Sequence, residues 1–260
     1  AEAFGAGVAA EGDTMLSYGT TMFIVHVAPQ AVPDPHLWLT AGVAPRSRTV
    51  AAGMATSGAL TTWFRTIAGD PSFEQLLAEA GQAPPGADGL VVLPYFAGER
   101  TPLFDPMARG AMLGLTQRHG RGHLYRALLE ATAFGVRHNL EAIQGAGGDP
   151  RRLVAVGGGT RGGLWAQVVS DVTGREQDSP EPSIGASYGD AHLAGNAAGL
   201  VPLDARWAKV AGTVHPNAAL QPLYERLYQI YLQLYPATRS LAHELAEMQL
   251  AAATPSPQGP

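Results

Sequence analysis

The chain has 260 residues, 17 of them basic and 22 acidic, for a formal net charge of -5 with no basic cluster, which argues against nucleic acid or an anionic membrane as a partner. Apolar residues make up 46% and charged ones 15%, alongside 32 glycines and 20 prolines; this excludes a disordered chain and suits a turn-rich α/β domain that buries about three quarters of its unfolded surface. The absence of cysteine excludes disulfides and thiolate metal sites, and no apolar run reaches the ~18 residues that cross a bilayer, so a cytoplasmic location is the default expectation.

The opening "AEAFGAGVAAEGD" reads as a helix entered in mid-course, since no capping residue precedes Ala1, and this suggests a fragment of a longer protein. "DTMLSYGTTMFIVHVAP" reads as a β-hairpin broken by a Gly-Thr-Thr turn, and "HLWLTAGVA" as a third short strand. From Ala51 a helix is expected, with Met54, Leu60, Trp63, Phe64 and Ile67 forming its apolar stripe and Gly69 ending it. Residues 73–80 form a second, short helix. A buried strand at residues 90–93 leads into a Pro- and Gly-punctuated loop that carries Glu99, Arg100, Asp105 and Arg109.

The stretch at residues 123–143 is apolar on most of its circumference, as in a helix covered on several sides. Strand 153–156, a glycine loop and a helix at about 164–172 follow. "REQDSPEP" allows one short strand, and "SIGASYGDAHLAGNAAGL" reads as a small-residue helix. Residues 220–250 are helical, with Leu223, Leu227, Ile230 and Leu234 on one face and a kink or break at Pro236. Residues 1–235 read as one domain, and 236–260 as the end of the C-terminal helix with a disordered tail.

In "VAVGGGTRGGLWAQ" the glycines at 157, 159 and 162 have the G-x-G-x-x-G spacing of a dinucleotide fingerprint. A strand precedes them, a helix follows, and Asp178 stands about 20 residues on, where a ribose-binding acid would sit. A Rossmann oxidoreductase would need further β-α-β units after Asp178, yet that stretch shows helix patterns without a convincing parallel strand. Another fold could use the same glycines to bring backbone against a purine or phosphate, and a ligand-free turn is the bland alternative.

"GGGTRGGLWAQVVSDVTG" resembles the adenosine segment of the FGGY carbohydrate kinases. "AEAFGAGV" with "LSYGTT" is similar to that family's post-catalytic helix and second phosphate turn, "LPYFAGERTPLFDPMARGAMLGLT" to its GER-x-P block, and "GASYGDAHLAG" to its small-residue helix. The resemblance implies the second, ATP-binding domain of an actin-like (ribonuclease-H-like) α/β kinase, a mixed sheet flanked by helices, with the N-terminal sugar-binding domain absent from the chain.

It also implies transfer of the γ-phosphoryl group of Mg-ATP to a sugar hydroxyl. The general-base Asp is expected just upstream of Ala1, so no catalytic residue lies in the chain, and Mg2+ would be held mainly by ATP and the absent domain. Gly19, Thr20 and Thr21 match the phosphate turn; Gly58 and Thr62 match positions near the nucleotide; Gly157, Gly158, Gly159 and Gly162 match the adenosine loop. Arg161 either reaches the nucleotide or is solvated. Glu99 and Arg100 are candidate cleft residues, with a structural ion pair between them as the plain alternative, whereas Asp105 and Arg109 read as structural.

The pattern resembles the xylulokinase-like branch, with D-xylulose as a substrate, while gluconate or another polyol and a non-catalytic nucleotide-binding or dimerisation module are the alternatives. Expected partners are ATP, a sugar or polyol, the chain's own N-terminal domain and, left open by the sequence, a second copy in a homodimer. No metal-binding spacing occurs among the eight histidines.

Overall fold

The computed structural model describes residues 1–28, 33–43, 47–181, 185–205 and 207–253. Its centre is a seven-stranded mixed sheet. The predicted hairpin forms from β1 (Asp13–Tyr18) and β2 (Met22–Val27), paired antiparallel so that Tyr18 faces Met22 across the Gly19–Thr21 turn. Two further antiparallel strands extend this side: β4 (Arg48–Met54) pairs with β2, and β3 (Trp38–Ala41) pairs with β4 at the edge.

The helix expected from Ala51 therefore starts later. Residues 51–54 close β4, and α2 spans Gly58–Ile67. Its buried face is Leu60, Thr61 and Phe64, while Trp63 and Ile67 are exposed. A short antiparallel pair, β5 (Val91–Leu93) and β6 (Ala111–Leu113), brackets the polar loop.

Beyond β1 the sheet continues with parallel β7 (Arg152–Val156), parallel β8 (Gln177–Glu181) and antiparallel β9 (Lys209–Val214) at the other edge. The parallel crossovers are carried by helices. Between β1 and β7 lie α2, α3 (Phe73–Gln82) and the long α4 (Arg121–Gly145); between β7 and β8 lies α5 (Leu164–Thr173). The opening helix, α1, is only Glu2–Gly5, and it packs on α6 (Ala186–Ala197). The last helix, α7, runs Gln221–Ala253 with Pro236 inside it, so the proline removes one N–H donor without dividing the helix. Residues 254–260, read from sequence as a disordered tail, lie outside the described residues.

Alternation along the central strands gives each face its own apolar layer. Leu16, Tyr18, Leu153 and Ala155 point into the main core with α2, α4, α5 and α7, while Met15, Val154 and Val156 point to a smaller cluster with Ala6 and Val8 behind α1. The middle of α4 is buried continuously from Tyr125 to Val136, as expected for a helix apolar on most of its circumference, with Arg126, Glu130 and Thr132 buried among the apolar side chains.

A candidate nucleotide site at one end of the sheet

Three segments converge where β1, β4 and β7 end. Parallel pairing puts Ser17 beside Val156, so the Gly19–Thr21 turn and the loop that starts at Gly157 leave neighbouring strands at the same end. Gly157 has φ +96°, and a Cβ there would lie 2.8 Å from the Tyr18 carbonyl oxygen. Both conditions require glycine.

The other loop glycines differ in what excludes a side chain. A Cβ on Gly159 would stand 2.8 Å from the Trp165 ring and 2.9 Å from Tyr18 Cβ, so packing accounts for that position. Gly162 takes φ +80° and would meet the end of Leu77 at 2.9 Å. At Gly158 a Cβ would meet nothing within 4 Å, and the residue is exposed. Neither space nor backbone conformation within the described residues demands glycine there.

A rigid floor supports this loop, and sequence reading missed its members. Tyr18 is fully buried, donates its hydroxyl to Gln177 Oε1 at 2.5 Å and meets Trp165 edge-on with ring centroids 5.6 Å apart. Burial drives the Tyr18 phenol far above its ordinary value, so it stays neutral. Trp165 Nε1 in turn donates to Thr132 Oγ1 on α4 at 2.8 Å. The available signal was the pairing of an aromatic with a glycine loop at the end of a strand.

The turn is held from its other side by α2. Gly58 N–H donates to the Gly19 carbonyl at 2.9 Å, while Ser57 and Ala59 N–H groups donate to the Thr20 carbonyl at 3.1 and 3.0 Å. A Cβ on Gly58 would sit 2.6 Å from Gly19 O, so this glycine permits the close approach of helix and turn. Thr62 Oγ1 donates to the Gly58 carbonyl at 3.0 Å. Thr20 is exposed, and among the described residues neither its hydroxyl nor that of Thr21 has a hydrogen-bond partner. The two threonines do not satisfy their own backbone, the arrangement a plain polar turn would favour.

The third segment is the polar loop. Thr101 Oγ1 donates to Asn139 Oδ1 and accepts the Gly53 N–H, both at 2.6 Å, fastening the loop to the end of β4. Glu99 is 5% exposed and its Oε1 accepts N–H groups from Ala55 at 2.8 Å and Arg100 at 2.7 Å. Burial raises its carboxyl to about 7 despite those bonds. The expected alternative of a Glu99–Arg100 ion pair does not form among the described residues; Arg100 is exposed and its side chain makes no hydrogen bond or ion pair there.

Asp105 and Arg109 are structural, as expected. Asp105 accepts from Tyr235 at 2.6 Å and His243 at 2.7 Å; burial alone would raise its carboxyl, but these bonds and the Met107 N–H hold it below the usual range. Arg109 Nε donates to Gln249 at 2.7 Å. Arg161 is exposed, without a side-chain partner among the described residues.

The Rossmann reading fails on topology. Asp178 pairs in register with Val154, in the middle of β7 and short of the glycine loop, and it is already engaged by Arg152 at 2.8 Å and by the Thr213 hydroxyl at 2.8 Å. The antiparallel β1–β2 hairpin beside parallel β7 and β8 is also not a doubly wound sheet.

A mixed sheet of this order, flanked by helices, has the actin-like ATPase fold of the FGGY kinases. Residues 14–198 match the C-terminal domain of the FGGY family of carbohydrate kinases, and the chain belongs to that family. It is 30% identical over 247 residues to a xylulose kinase of Bacillus subtilis (strain 168), covering 92% of this chain and 49% of that protein. A xylulose kinase of Escherichia coli (strain K12) is 29% identical over 246 residues, covering 91% of this chain and 51% of that protein. The crystal structure of xylulose kinase from Rhodospirillum rubrum superposes with a TM-score of 0.85 at 34% identity, covering 93% of this chain and 50% of that one. The chain thus spans about half the length of the relatives it matches.

Proposed function

We propose that the chain is the ATP-binding half of a sugar kinase, which transfers the γ-phosphoryl group of Mg-ATP to a hydroxyl of a sugar such as D-xylulose. The observation that carries this reading is Gly158, a loop glycine that nothing within the described residues requires, at the end of a strand adjacent to a turn whose two threonine hydroxyls have no hydrogen-bond partner among the described residues. A purine or ribose lying against Gly158 supplies the missing reason for the absent side chain.

In this reading adenosine rests on the Gly157–Gly159 loop above the Tyr18–Trp165 floor, and the phosphates extend toward Gly19, Thr20 and Thr21. The Thr20 hydroxyl meets charge as it builds on the transferring phosphoryl group. Gly58 and Thr62 act from behind the turn, by setting its position. Among the described residues no group of three or more His, Asp or Glu could hold a metal ion. We assign Mg2+ to ATP and to a preceding domain, together with the sugar contacts and the Asp that takes the proton. The sequence resemblance and the xylulose kinase relatives support D-xylulose as substrate, and a cytoplasmic compartment is the reading that ATP use and the lack of cysteine fit.

Calorimetric titration of this chain with ATP tests the reading. Half a phosphate site corresponds to roughly millimolar affinity, about -4 kcal/mol. No heat with ATP at millimolar concentration, or binding of NADH in its place, would overturn it. A coupled kinase assay with D-xylulose and with gluconate, on this chain and on the chain joined to its preceding domain, tests the reaction. Turnover is expected only for the longer protein, and turnover by this chain alone refutes the assignment of the base.

A further inference from the structure

Glu99 is buried, acidic and close to the turn, yet the proposed transfer gives it no step. Its geometry gives it another task. Oε1 accepts the Ala55 and Arg100 N–H groups, and Ala55 opens the five-residue segment that ends by donating three N–H groups to the carbonyls of Gly19 and Thr20. Between these anchors, the Thr56 hydroxyl donates to the Pro94 carbonyl and Ser57 is fully buried. Residues 55–59 are therefore clamped between the Glu99 carboxylate on one side and the turn on the other.

We propose that Glu99 is a positioning residue, whose carboxylate holds residues 55–59, and through them the Gly19–Thr21 turn, in the arrangement that receives the terminal phosphates of a nucleotide. The proposal rests on the nucleotide reading above and extends it to a residue that touches no ligand. A charged acceptor makes stronger bonds to N–H groups than a neutral one. The charged and titratable groups around Glu99 are Arg100 on its own loop, Asp105 opposite it in a β-bridge, Tyr95 after β5, and Tyr231 on α7. Of these only Arg100 opposes its charge, and that residue is exposed. Oε2 has no partner among the described residues, so glutamine at this position keeps the Oε1 acceptor and gives up only the charge.

The test titrates ATP and AMP into the chain and into its E99A and E99Q variants, followed by NMR shifts, at about pH 6 and about pH 8, on either side of the carboxyl's own transition. AMP lacks the terminal phosphates and reports on the glycine loop alone. At the higher pH, E99A is expected to weaken ATP about tenfold, ~1.4 kcal/mol, and to leave AMP unchanged, with E99Q between E99A and the parent. ATP affinity of the parent should fall more toward acid than that of E99Q. The titration of ATP itself is common to both proteins, so the difference belongs to residue 99. Equal losses of ATP and AMP in E99A, or the same acid response in parent and E99Q, overturn the proposal while the nucleotide reading stands. Failure of both nucleotides to bind the parent overturns that reading and the proposal with it. Should E99A not fold, the acid response of E99Q against the parent decides alone.

Discussion

At Gly158 a side chain has room and glycine stands there nonetheless, which turns the position into a direct probe of ligand contact. G158V should leave thermal stability within about 0.5 kcal/mol of the parent, because the new side chain enters solvent. ATP affinity should fall by at least about tenfold in the same titration, a loss of ~1.4 kcal/mol. Glu99 makes the complementary prediction for stability. Its carboxyl titrates near 4.5 when unfolded and near 7 in the native chain, so the native state holds an extra proton between those values. Stability from this group is complete below about pH 4.5 and is lost as pH rises through about 7, by about 3 kcal/mol in all. E99Q should therefore melt at a higher temperature than the parent near pH 8 and show no such gain near pH 5, as read by calorimetry. The candidate glycines and threonines were legible in the sequence through the family resemblance; close approach or backbone conformation accounts for Gly58, Gly157, Gly159 and Gly162, and neither accounts for Gly158. The task proposed for Glu99 was not legible, since burial and a bond to a main-chain N–H group 44 residues away leave no local pattern.

Elements were read well where a pattern was periodic and poorly where packing overrode it. The β1–β2 hairpin, α4 and the strand–loop–helix around the glycines all carry regular apolar spacing. Residues 51–54 misled because Ala, Ala, Gly and Met favour strands weakly; they are extended because β2 pairs with all four, with β3 on the other side only as far as Ala51, Thr101 fastened to Gly53, and Met54 packed where Gly135 of α4 leaves space. The edge strand β9 was missed for the opposite reason: four of its six residues are exposed, so no alternation marks it. At this scale α4 is fixed by a buried polar group that no periodicity announces. Glu130 accepts from Arg126 at 2.9 Å, from the Tyr224 hydroxyl of α7 at 2.9 Å and from Gly86 N–H at 2.8 Å, while Arg126 also reaches the Ala83 carbonyl at 3.1 Å. E130A leaves the Arg126 guanidinium buried without its partner and should cost about 3–5 kcal/mol, measured by urea unfolding. The loss should appear in α4, α7 and the loop that follows α3 together, since one carboxylate joins all three.

For the whole molecule, the decisive arrangement is that two loops far apart in sequence emerge at one end of one sheet, where Thr101 fastens the polar loop between β5 and β6 beside them. Crossover topology does this: β1 and β7 are parallel neighbours although about 130 residues separate them, so their C-terminal loops must lie side by side. A surface of this kind makes one wall of a site. If the proposed preceding domain supplies the other wall, joining it should tighten ATP by at least about tenfold over this chain alone, because a second wall adds phosphate contacts and excludes water; equal affinities in the paired titrations would contradict the two-wall arrangement. Opposite the helical core, α1 crosses α6 where Gly5 faces Gly189, so closely that a Cβ on Gly5 would lie 2.6 Å from the Gly189 nitrogen. Backbone touches backbone there, without an intervening side chain to flex. Whatever polypeptide is joined ahead of Ala1 thus enters along a rigid rail, and any swing between that polypeptide and the sheet must either bend before the rail or drag α1 and α6 along as one lever.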